Sequence, residues 1–298
     1  MHAFDYEAPK TLRDAIQLLG RHNGSARPLA GGTDLIDQMR VGRLTPGVVV
    51  DLKKIAELNV LHSDGNGLHI GAAVPCCKIY SDPTVTKQYT ALSDSCHVIG
   101  GIQIQSRASL GGNLCNSGPA ADSTPSMIAL GGVCVIAGPN GNREVPVESF
   151  CTAPGKNVLQ PGELLVEIRF PKPPANSGSH YRRMIPRNEM DIAIVGVGAA
   201  VQLDPGGKSI VSARIALGAV AATPVYAQKA SELLAGKAVS DELIQQAAQA
   251  ARDVISPITD MRGTKEYRVH VTGVLVARTL QAAIARARGE AVDYRPGH

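Results

Sequence analysis

The stretch SLGGNLCNSGPAADSTP, residues 109–125, crowds three glycines, two prolines, two asparagines and three serines into seventeen positions, with Asp122 as its only charge. Small polar residues are ordinary in loops, but so many positions that free or fix the backbone demand a reason. A second segment of the same kind, LAGGTDL at 29–35, also carries a Gly-Gly pair ahead of a polar side chain. Successive amides in such loops converge on anions, and glycine lets a phosphate approach closely. On the residues alone two readings stand. Either the segments grip the two phosphates of a dinucleotide, or they are tight turns in a chain with 31 glycines among 298 residues.

The rest of the chain frames these segments as parts of an α+β protein. TLRDAIQLL (11–19) has helical spacing and GVVVDLKKI (47–55) reads as a buried strand, so the first 55 residues form a small α/β unit. NVLHSDGNGLHIGAAV is a hairpin around Asp-Gly/Asn-Gly, a helical stretch follows Pro83, and a second hairpin turns at Asn140-Gly141 before the strand LLVEIRFP (164–171). PKPPANSGS (171–179) reads as a linker. Beyond it, IAIVGVGAAVQL and SIVSARIALGAV pair around DPGGK, and two helices close the chain. The second of these helices places Tyr267, Val271, Val274 and Leu275 on one face.

Several functions are excluded by what is missing. GVGAAV (196–201) lacks the third glycine of a dinucleotide fingerprint and runs into a hairpin rather than a helix. No phosphate loop of the G-x-x-x-x-G-K-[ST] type and no nucleophile elbow is present. Thirty basic against 26 acidic residues, no tryptophan and no dense basic run argue against nucleic acid. No apolar run reaches membrane length, and the N-terminus does not read as an export signal. The six cysteines include no C-x-x-C pair and the eight histidines no zinc spacing, so the expectation is a reduced, cytoplasmic protein with no metal ligand and no catalytic acid–base set of its own. Glycine loops without such a set point to chemistry carried by a cofactor.

LAGGTDL together with QIQSRASLGGNLCNSGPAADSTP resembles the flavin subunit of the molybdenum hydroxylases, the family of xanthine dehydrogenase and carbon monoxide dehydrogenase. The resemblance extends through FDYEAPKTLRDAIQLL, IGAAV, GELLVEIRFP and YRRMIPRNEMDIAIVGVGAAV, nearly the whole chain. It implies a PCMH-type FAD-binding domain over 1–175, in two parts of about 1–57 and 58–175, then an α+β domain of antiparallel sheet plus helices over 179–290. By the same resemblance, Leu29, Ala30, Gly31, Gly32, Thr33, Asp34 and Leu35, with Ser109, Leu110, Gly111, Gly112 and Asn113, hold the FAD pyrophosphate through backbone amides. Asn116, Ala121 and Asp122 lie near the cofactor, Asp122 toward the adenosine ribose, and Leu165 borders the flavin. Arg183 falls where relatives often have a lysine near the isoalloxazine; the alternative is a surface arginine. Gln105 and Ser106 depart from the family, standing where relatives usually carry arginine and asparagine, as does Gly118, where many have serine. No inserted cysteine cluster of the benzoyl-CoA reductase kind is seen.

The resemblance further implies an oxidoreductase subunit that passes electrons from [2Fe–2S] clusters to NAD⁺, a quinone or oxygen. The clusters and a molybdenum cofactor would reside on a small and a large partner subunit, in a dimer of three-subunit units. The substrate class would be a purine, another N-heterocycle or an aldehyde. The alternatives are a self-sufficient flavin reductase with a similar FAD domain and a non-catalytic nucleotide-binding protein.

Overall fold

The structure, a computed structural model, describes residues 1–22 and 24–292. The chain opens with β1 (Asp5–Glu7), α1 (Leu12–Arg21), β2 (Ala26–Leu29), α2 (Leu35–Arg40) and β3 (Val48–Asp51). β3 lies between β1 and β2 and runs parallel to both. Its continuous apolar run follows from that central place, and Val48, Val49 and Val50 are at most 5% exposed. Thr11 caps α1 by accepting from the Asp14 amide, and the helix buries Ala15 and Leu19, four residues apart. β2 ends at Leu29, so the first glycine segment leaves the C-terminal end of a parallel strand, where sheets of this type keep their ligands.

The second part runs β4 (Leu61–Ser63), β5 (Gly67–Gly71), α3 (Cys76–Ser81), α4 (Pro83–Gln88), α5 (Thr90–Cys96), α6 (Ile102–Gln105), α7 (Leu110–Asn116) and α8 (Ser123–Ala129). It continues with β6 (Val133–Gly138), β7 (Gly141–Pro146), β8 (Cys151–Ala153), β9 (Lys156–Asn157) and β10 (Leu164–Pro171). The main sheet is antiparallel in the order β4-β5-β10-β6-β7, with hairpins at the turns the sequence marks. The glycine-rich stretch expected as a loop is instead two short helices, α7 and α8. Ser109 starts α7 by accepting from the Gly112 amide, and Ser117, at φ 52°, ends it in the left-handed region. Every residue of α8 is buried, and that burial outweighs the low helix propensity of the segment.

The C-terminal domain comprises β11 (Ser177–Met184), β12 (Val195–Leu203), β13 (Ser209–Gly218), β14 (Val225–Tyr226), α9 (Gln228–Leu234), β15 (Lys237–Ala238), α10 (Asp241–Arg252) and α11 (Lys265–Ala287). GVGAAV lies wholly inside β12. Its Gly198 serves packing, since a Cβ there would stand 2.5 Å from the Pro125 carbonyl oxygen of α8. α11 packs between the sheet and α10, so its buried set is wider than one stripe and includes Val271, Leu275, Val276 and Leu280. Tyr267 and Val274 sit at its margin, because the sheet and α10 cover the faces to either side.

Buried Asp94 of α5 joins the two domains. It takes a forked pair of bonds from Arg286 of α11 at 2.6 and 3.0 Å, lies 2.7 Å from His180 Nδ1, and accepts from the Tyr181 amide. Among the described residues, no helix is long and apolar enough to cross a membrane.

Candidate functional site

The two glycine segments, about eighty positions apart in the chain, meet directly. Gly31 lies so close to the segment preceding α7 that an added Cβ would stand 2.0 Å from the Arg107 carbonyl oxygen. No larger residue fits without separating the segments. Asn116, at the end of α7, ties the junction a second time. Its amide nitrogen donates to Asp34 Oδ1 at 3.2 Å, and its oxygen accepts from Gln38 of α2 at 3.1 Å. Gly111 performs the same close-packing role against IGAAV, where a Cβ would come within 2.4 Å of the Ala72 carbonyl oxygen.

The amides of Gly32, Thr33 and Asp34 have no acceptor among the described residues, which leaves three consecutive donors at the end of a parallel strand. Leu29, Ala30, Thr33 and Leu35 are half-buried around them. Gly112 is exposed, and an added Cβ there would meet only Ser109 Oγ, at 3.1 Å. The second segment differs from the first in one respect: the Gly112 amide is already occupied by Ser109 Oγ. Leu110 is buried in the core, and Asn113 accepts from Ser123 Oγ at 2.7 Å.

Asp122 and Arg183 form a buried ion pair at 2.7 Å, with side chains 11% and 6% exposed. Arg183 is therefore not a surface arginine. Tyr181 donates to the other Asp122 oxygen at 2.7 Å. Burial pushes the Asp122 carboxyl up to about 6, against the opposing pull of Arg183 and Tyr181. Since Tyr181 and Arg183 belong to β11, the pair clamps the C-terminal sheet onto the segment that carries half-buried Ala121, and the Ala219 amide adds a bond to the Pro119 carbonyl. Each Asp122 oxygen keeps a second lone pair. Leu165 is 3% exposed within the core of the second part, beside a bulge that separates it from Glu167.

Arg107 was missed in the sequence. Its backbone meets Gly31, and its exposed guanidinium makes no ion pair among the described residues, so an uncommitted cation stands at the junction of the segments. Its signal was its place two residues before Ser109, which opens the second glycine segment. Gln105, by contrast, is structural, because its buried amide donates to the His97 carbonyl at 2.7 Å. All six cysteines are free thiols. Burial pushes Cys115 up to about 12, and a hydrogen bond donated by the Cys96 thiol to Cys76, together with burial, raises Cys96, so these thiols stay protonated and unreactive.

Comparison with known proteins agrees along nearly the whole length. The family model described as the FAD binding domain in molybdopterin dehydrogenase matches residues 2–173, and the CO dehydrogenase flavoprotein C-terminal domain matches residues 180–283. The carbon monoxide dehydrogenase medium chain of Afipia carboxidovorans is 34% identical over 96% of this chain and 98% of its own. The putative xanthine dehydrogenase FAD-binding subunit of Escherichia coli is 33% identical over 96% of this chain and 97% of its own. Among solved structures, a carbon monoxide dehydrogenase from Hydrogenophaga pseudoflava superposes with a TM-score of 0.92 at 33% identity, over 96% of this chain and 98% of that one. Quinoline 2-oxidoreductase from Pseudomonas putida superposes at 0.88 and 30% identity, over 96% and 98%.

Proposed function

Because this chain belongs to the family of FAD-binding subunits of the molybdenum hydroxylases, we propose that it is the electron-transfer flavoprotein of such an enzyme. The observation that carries this reading is the junction of the two glycine segments, with three unpaired amides on one side and the open backbone of Gly112 on the other. The residues fit FAD. Gly32, Thr33 and Asp34 would donate to its pyrophosphate, Arg107 would add a positive charge, and Gly112 would leave room for close approach. When bound, FAD supplies the ability to accept electrons singly and release them in pairs. The Asp122–Arg183 pair, pinned by Tyr181, would hold the C-terminal sheet against the cofactor segment and keep the local net charge near neutral.

In this reading an iron–sulfur subunit delivers electrons and a molybdopterin subunit binds and hydroxylates the substrate, within a cytoplasmic complex. Three-subunit units paired as a dimer, an acceptor among NAD⁺, quinone and oxygen, and a purine, N-heterocycle or aldehyde as substrate belong to the same proposal. Relatives of almost equal identity are named for carbon monoxide and for xanthine, as expected if identity in this chain follows electron transfer rather than substrate. Affinity purification from the native host is expected to recover a yellow chain with one noncovalent FAD, alongside partners bearing molybdenum cofactor and [2Fe–2S] clusters. Recovery of a free flavoprotein that oxidises substrate alone would replace this reading with the self-sufficient reductase. A colourless chain that takes up no FAD would leave only a non-catalytic role.

A further inference from the structure

At the edge of the five-stranded sheet that begins with β4, three ligand-bearing side chains lie together. His62 of β4 and His69 of β5 are direct cross-strand partners, and their rings stack 4.6 Å apart and nearly parallel. Asp64 sits in the turn between them, and its Oδ2 lies 3.5 Å from His69 Nε2. One ligand atom from each of the three residues lies within 4.8 Å of the others. No sequence motif announces this H-x-D-x-x-x-x-H spacing, because the hairpin creates the juxtaposition.

The surroundings orient His69 and Asp64 for coordination, and His62, stacked on His69 but exposed, would turn about its side-chain bonds to bring a ring nitrogen to the ion. His69 Nδ1 lies 2.6 Å from Glu167 Oε1 on β10. With the proton on Nδ1, the Nε2 lone pair points toward Asp64 and is available as a ligand. Arg169 holds the other Glu167 oxygen at 2.9 Å, which fixes Glu167 behind the histidine rather than in the ligand set. Asp64 Oδ1 accepts from the Asn66 and Gly67 amides at 2.7 and 3.1 Å, so the carboxylate is pinned and its Oδ2 stays free. In a tetrahedral site with bonds of roughly 2.0–2.1 Å, ligand atoms stand about 3.3 Å apart, close to the spacing between Nε2 and Oδ2.

We propose that His62, Asp64 and His69 form a zinc site, with Glu167 as the residue positioning His69 and water in the fourth place. Two imidazoles and a carboxylate suit a late first-row divalent ion, and zinc accepts this set without redox change. The bound ion would cross-link β4 to β5 at the exposed sheet edge. The inference stands independently of the FAD assignment.

Isothermal titration of the untagged full-length chain with zinc chloride tests it. One zinc per chain is expected, with two imidazoles in its zinc-edge X-ray absorption spectrum. His62→Ala and Asp64→Asn should each weaken binding tenfold or more; both side chains are exposed, and the asparagine oxygen can keep the turn bonds. Glu167→Gln should weaken it by roughly 10–100-fold, the cost typical of an outer-shell partner. His270→Ala, at an exposed position on α11, should leave binding unchanged. Absence of one-to-one binding would overturn the site and leave His69 as a hydrogen-bonded neighbour of the two carboxylates. So would binding that survives His62→Ala.

Discussion

Valine at position 112 separates cofactor approach from folding. Gly112 has no positive φ, and the one atom an added Cβ would meet is Ser109 Oγ, at 3.1 Å. Valine is also the better helix former, by a few tenths of a kcal/mol. The chain without flavin should therefore keep its stability to within about 1 kcal/mol. Gly111→Ala is the contrasting variant, because its methyl would stand 2.4 Å from the Ala72 carbonyl oxygen and must displace backbone. Such overpacking typically costs about 1–3 kcal/mol. On the ligand side, each charge-assisted hydrogen bond to phosphate contributes about 1.5–3 kcal/mol. A branched side chain that displaces the phosphate by one such bond should weaken FAD binding by roughly tenfold to a hundredfold. The assay is fluorescence titration of the flavin-stripped full chain with FAD, paired with denaturant unfolding of the same sample. Wild-type affinity in Gly112→Val would refute the reasoning. So would a loss of affinity accompanied by a fold as damaged as that of Gly111→Ala.

Other contacts give further expectations. Gly31→Ala should force the two glycine segments apart and lower both flavin occupancy and stability, measured by absorbance and by unfolding; an unaffected chain would show that the close contact with Arg107 is dispensable. Arg183→Gln leaves a buried carboxylate unpaired and should cost about 3–5 kcal/mol near neutral pH, read from urea midpoints. Burial raises Asp122 to about 6 in the folded chain, so its stabilising contribution is full below the unfolded carboxylate pKa and is lost as pH rises through 6. Wild type should thus lose up to about 3 kcal/mol relative to Asp122→Asn between roughly pH 4 and 6, and parallel profiles would contradict this. Asp94 behaves oppositely: burial opposes its ionisation, but His180 and Arg286 hold its carboxyl below the ordinary value. Its contribution is present above the unfolded pKa and lost as pH falls through the lowered one, so Arg286→Gln should flatten the acid limb of the stability curve.

Local pattern alone determined much of this protein. The run Val48–Val50, the two hairpin turns, the strand LLVEIRFP and the exclusion of GVGAAV as a nucleotide turn were legible because period, turn chemistry and propensity act over a few residues. The glycine segments were legible as unusual, and their resemblance pointed to flavin. The sequence left open which glycine does what. Gly31 and Gly111 proved to be packing positions and Gly112 the open one, a distinction set by the Arg107 and Ala72 backbones, about forty to eighty positions away. The helices α7 and α8 were hidden for the same reason, since glycine and proline argue against helix locally while burial of the whole of α8 decides for it. The Asp122–Arg183 pair and the convergence of His62, Asp64 and His69 likewise depend on which strands lie side by side. Short-range preference is written residue by residue. Contact between distant segments arises only when the hydrophobic core fixes their register, and the tertiary structure alone decides it.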